Sequence, residues 1–163
     1  MHALARFHDA LTEIGAAIAA IGVGATACIY TAEVVSRYLL DAPLNWSGDV
    51  SSYLLCACAF LALPKVTQTN GHVAIGYFLE QLSAGARLYY ARMLRLVVGV
   101  VCLTAAIFAA IEGWDLFVNG VLTTQATQIP KWLIALVVCF GFASSALHLF
   151  FAEGGDVGEE AGI

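Results

Sequence analysis

Apolar side chains fall in four long runs, residues 14–32, 50–64, 96–111 and 132–152, and no charged residue interrupts any of them. A bilayer's hydrocarbon core takes about 20 helical residues to cross, somewhat fewer when interfacial residues lengthen the helix. The first and last runs meet that length alone. The second meets it with residues 46–49 added, and the third with 92–95 before it or 113–118 after it. The runs are continuous rather than alternating, and in lipid only helices or a closed barrel satisfy every backbone polar group, so helices are selected. The pattern predicts an all-α integral membrane protein with four transmembrane helices, spanning about 14–37, 46–64, 94–117 and 131–151.

The connection between the second and third runs is longer than a hairpin needs. Ile75, Phe78, Leu79, Leu82, Tyr89 and Met93 recur at helical spacing, with Glu80, Gln81, Arg87 and Arg92 between them. This predicts an interfacial amphipathic helix over about 72–92, lying along the inner leaflet, with Ser83 and Gly85 able to break it in two. Leu4, Phe7, Leu11 and Ile14 share one helical face, so residues 1–13 read as an amphipathic lead-in at the membrane surface. The first run is longer than a signal peptide's apolar region, and Asp9 and Glu13 precede it, so it is read as retained.

Composition agrees with the pattern. Hydrophobic residues make up 61% of the 163 residues, charged residues 12%, and mean hydropathy is +0.84. Four spans and short connections use this length, so a single membrane domain is expected over 1–152 and no globular extramembrane domain beside it. The net charge of −5 sits partly in Glu153, Asp156, Glu159 and Glu160, in a Gly-containing segment expected to be a flexible acidic tail over 153–163. No basic patch points to nucleic acid. Lys65, Arg87, Arg92 and Arg95 lie between the second and third runs and Arg6 near the start, against only Arg37 and Lys131 in the other two connections. The positive-inside rule places both termini and the central connection in the cytoplasm, and the loops 37–49 and 112–131 outside.

Candidate chemistry is sparse. The charged residues that touch the membrane, Glu33, Arg37, Asp49, Lys65, Glu112 and Asp115, all lie near span ends, and Glu33 and Arg37 are placed to pair on one helix face. An ionisable residue at mid-span would mark an ion or proton path, and a self-contained proton-coupled pump would want one; none is present. The five cysteines, Cys28, Cys56, Cys58, Cys102 and Cys139, lie inside apolar runs and read as packing residues. Among the histidines only His148 lies deep enough to ligate a haem, and no second imidazole is expected to face it. No catalytic residue, cofactor site or metal ligand set is expected. Small residues recur every fourth position at Ala16, Ala20, Gly24 and Cys28, and again at Gly141 and Ser145. Such stripes admit a close helix, either within this chain or on a second membrane protein.

The loop after the first span carries Arg37-Tyr38, then Asp41-Ala42-Pro43, then Trp46-Ser47 with Asp49 opening the second helix. Ser47 or Asn45 is expected to cap that helix, with Asp49 in its first turn. Further on stand Asn70-Gly71-His72-Val73 and Ile129-Pro130-Lys131-Trp132. In order and interval these motifs resemble the small membrane subunit (DctQ-like) of tripartite ATP-independent periplasmic, or TRAP, transporters. Gly48 departs from the pattern by standing where the family often has a second carboxylate.

The resemblance implies a multi-pass subunit of a prokaryotic inner membrane. Its partners would be a large permease subunit, a periplasmic binding protein that delivers an organic acid, and the lipid bilayer, with uptake usually coupled to sodium. It also implies partner-contact or loop-fixing roles for Arg37, Trp46, Asp49 and His72. Arg37 and Asp49 would either pair across the outward loop or present charge to the binding protein, with plain interfacial anchoring as the alternative. Two other classes stay open: an anchor subunit of a membrane oxidoreductase, and a small transporter formed by self-assembly through the Ala16–Gly24 stripe.

Overall fold

The computed structural model describes residues 2–69, 84–123 and 127–151. They form four helices: α1 (His2–Leu39), α2 (Ser47–Gln68), α3 (Ala84–Val118) and α4 (Lys131–Phe151). Each contains a segment long and apolar enough to cross a membrane: His8–Leu39, Ser47–Gln68, Tyr89–Val118 and Lys131–Phe150. The chain is a multi-pass membrane protein. The helices alternate in direction and lie in a row, with α1 packed on α2, α2 on α4 and α4 on α3. The start of α1, the end of α2, the start of α3 and the end of α4 therefore share one end of the bundle, called here the terminal end. The loop 40–46 and the described residues 119–123 and 127–130 lie at the other, the loop end.

The interior is built for lipid. Among the described residues, the buried apolar side chains include the small Ala19, Cys58, Ala106 and Ala146. Beside them lie buried hydroxyls, among them Thr12, Thr26, Ser51, Ser144 and Ser145. The large side chains face outward, with Ile21 73% exposed and Phe108 and Trp114 each 67%. In water this distribution would be inverted; in a bilayer apolar burial no longer drives helix association, and close backbone packing over small residues does. Most hydroxyls return to their own helix: Thr26 Oγ1 donates to the Gly22 carbonyl (2.9 Å) and Ser145 Oγ to that of Gly141 (2.8 Å).

Three glycines set the spacing within the row. A Cβ on Gly15 would stand 3.2 Å from the Leu61 carbonyl oxygen, and one on Gly22 would collide with Cys58 Sγ. A Cβ on Gly141 would stand 2.5 Å from the Phe60 carbonyl oxygen. Pro64, fully buried inside α2, has no N–H for the carbonyl of Phe60 one turn back. Gly141 brings α4 onto that carbonyl, where its Cα–H can serve as a weak donor.

One element differs from the sequence-based expectation, and a second is described only in part. The lead-in over residues 1–13 is not a separate surface helix, since α1 runs unbroken from His2 to Leu39. The anticipated interfacial helix over 72–92 falls mostly outside the described residues, and Ala84 to Arg92 are continuous with α3.

Candidate functional site

At the loop end, α1 stops where Asp41 takes a left-handed backbone (φ 53°) and Pro43 cannot continue a helix. Trp46 stands at the N-cap of α2 with no side-chain cap bond. Ser47, expected as a cap, is the first helical residue, and its Oγ donates back to the Leu44 carbonyl at 2.8 Å. Asp49 occupies the first turn of α2, near the helix's positive end, as expected. Its Oδ2 accepts the Thr127 backbone N–H at 3.3 Å, which ties the start of α2 to the α3–α4 loop. Thr123 braces the second loop, donating to the Thr127 carbonyl (2.8 Å) and accepting from the Ile129 N–H (2.9 Å).

The structure does not bring Arg37 to Asp49. Arg37 pairs with Glu33 on its own helix, the i, i+4 pair read from the sequence. Asp49 points instead to the α3–α4 loop, because α2 packs on α4 as well as on α1. Arg37 and Trp46 are both exposed, Trp46 by 46%. His72 lies outside the described residues.

The terminal end gathers more polar groups than the sequence suggested. Glu13 pairs with Lys65, and Gln68 Nε2 donates to Asp9 Oδ1 at 3.0 Å, fastening α1 to α2. His148 does face a second imidazole: the His8 and His148 ring centroids are 4.4 Å apart, tilted by 46°. Such closely stacked rings cannot take the two faces of one haem. His148 Nε2 lies 2.9 Å from Thr12 Oγ1, and His8 Nε2 lies 2.9 Å from Ser144 Oγ. Sequence reasoning missed this cluster because its members are 136 positions apart. The available signal was the even number of spans, which returns the last helix to the level of the first turns.

The helix faces divide the two small-residue stripes. Gly141 and Ser145 are buried, between α2 and α4. Ala20, Gly24 and Cys28 are exposed and Ala16 half-buried, and a Cβ on Gly24 would meet nothing within 4 Å. Close packing inside the chain uses the adjacent face of α1, Thr12, Gly15, Ala19, Gly22 and Thr26. The Ala16–Gly24 stripe points out of the row. Cys58 is buried while Cys56 is half-buried, consistent with opposite headings on α2, and all five cysteines are free.

A model of the family described as tripartite ATP-independent periplasmic transporters, DctQ component, matches residues 26–152. The chain belongs to the DctQ family. It is the small membrane subunit of a TRAP transporter, a transporter component rather than an enzyme. The match takes in three of the membrane-crossing segments of this DctQ component whole and the last 14 of the 32 residues of the first, residues 26–39, and with them Arg37, Trp46, Asp49 and His148. It begins after His8, Asp9 and the Ala16–Gly24 stripe. None of the curated proteins compared with the chain matches it.

Proposed function

We propose that this DctQ component braces the large permease subunit in the membrane, so that the permease's moving part works against a fixed frame during uptake. The complex imports an organic acid handed over by a periplasmic binding protein, coupled to sodium. The observation that carries this reading is the open row of helices. Among the described residues, its outer faces on α1 and α3 are broad, apolar and uncovered, with Ile18, Ile21 and Val34 on one and Val97, Val101 and Phe108 on the other. No charged side chain interrupts any of the four apolar runs, which agrees with substrate and ion sites lying on another chain. The exposed Ala16–Gly24 stripe suits close approach of a permease helix, and exposed Arg37 and Trp46 suit contact with the binding protein.

Affinity purification from the native membrane in mild detergent, with mass spectrometry of what accompanies the chain, tests this. A near-stoichiometric, large, many-span partner is expected. A redox enzyme as partner, or the chain with only copies of itself, would overturn the bracing role.

A further inference from the structure

We propose that His8, Asp9 and His148 form a binding site for a divalent transition-metal ion of the zinc class, which clips the start of α1 to the end of α4. One ligand atom from each of the three lies within 4.8 Å of the others. Ligands around a tetrahedral zinc, each ~2.0–2.1 Å from the metal, stand roughly 3.4 Å apart. Small side-chain rotations close the difference. Two imidazoles and one carboxylate suit zinc, nickel or cobalt, whereas magnesium and calcium ask for oxygen donors.

Each ligand is held from behind by a group on another helix, the arrangement that orients metal-binding histidines and carboxylates. Thr12 of α1 supports His148 of α4, Ser144 of α4 supports His8 of α1, and Gln68 of α2 supports Asp9. When the single Thr12 hydroxyl hydrogen goes to the His8 carbonyl at 3.1 Å, the hydroxyl accepts toward His148, whose Nε2 at 2.9 Å is then the donor. That leaves a lone pair on Nδ1 for a metal. Gln68 occupies Oδ1 of Asp9 and leaves Oδ2. The neighbouring cation, Lys65, pairs with Glu13.

The location gives the site a consequence. α2 stands between α1 and α4 in the row, and these side chains bring the two flanking helices together at the terminal end. An ion there closes that end of an otherwise open row.

The test uses the full chain in detergent, purified through a histidine-free tag, stripped with chelator and titrated with Zn²⁺ and, for its spectrum, Co²⁺. Saturable binding of one ion per chain is expected, with Co²⁺ visible bands lacking the charge-transfer absorption that thiolate ligation by the cysteines would add. Zn²⁺ should raise the Tm of the native chain and not that of His8→Ala, whose helical content is checked by circular dichroism. Ser144→Ala and Thr12→Val should weaken binding by ~10–100-fold. Absence of saturable Zn²⁺ binding by the native chain would overturn the proposal. So would undiminished binding by His8→Ala, or a thiolate spectrum.

Discussion

Gly141 and Gly24 look alike in the chain, each a small residue at four-residue spacing, and their surroundings are opposite. A Cβ on Gly141 would press on the Phe60 carbonyl oxygen at 2.5 Å and on Phe60 Cβ at 3.0 Å, while one on Gly24 would meet nothing within 4 Å. Gly141→Ala should therefore destabilise the purified chain by about 1–3 kcal/mol, because the nearest obstructing atom is a backbone oxygen and Phe60 Cβ is fixed to the backbone, so neither can rotate aside. Gly24→Leu should leave the Tm of the isolated chain unchanged and reduce recovery of the permease partner. Thermal melts of both variants beside copurification yields separate the two effects. Arg37 is a similar case. Its exposed pair with Glu33 is worth ~0.5 kcal/mol or less, so Arg37→Ala should insert and melt normally. A fall in uptake by that variant would identify a partner contact; unchanged uptake and copurification would remove that role.

Among the elements, α3 shows how lipid inverts the usual cost of substitutions. Gly99, Ala106 and Gly113 stand seven apart, the repeat of left-handed helix packing. A Cβ on Gly99 would reach Phe150 Cζ at 3.0 Å and one on Gly113 would reach Ala135 Cβ at 3.2 Å, both on α4. Ala106 is 5% exposed and Phe108 67%. Ala106→Phe should cost about 1–3 kcal/mol by overpacking the α3–α4 seam. Phe108→Ala, a severe change in a water-soluble core, should stay within about 0.5 kcal/mol in detergent. Denaturation in mixed detergent measures both. In α1, the shared face of Leu4, Phe7, Leu11 and Ile14 suggested a surface segment, with Asp9, Thr12 and Glu13 off that face. The structure spends them on α2 and α4 instead, so a single 38-residue helix results.

For the whole molecule, the alternating helices place the start of α1 and the end of α4 on one side, and we propose from the positive-inside rule that this side faces the cytoplasm. A fluorescent-protein fusion at the C-terminus should glow and a periplasm-dependent phosphatase fusion there should stay inactive; the reverse would invert the molecule.

The membrane class and the four helices were legible in the chain because each apolar run has to satisfy its backbone within itself, a local condition. So were the pairing of Glu33 with Arg37, four residues apart on one helix, and the family, carried by motifs such as Arg37-Tyr38 and Trp46-Ser47 in order. The rotation of each helix was not. In lipid the apolar face does not point inward, so spacing alone left Ala16, Ala20 and Gly24 indistinguishable from Gly15, Ala19 and Gly22, and only packing against Leu61 and Cys58 chose between them. Asp49 reaching Thr127, and His8 and Asp9 meeting His148, depend on α4 lying beside α2 and on where α1 passes its end. These are contacts between helices distant in sequence, and the tertiary structure alone sets them.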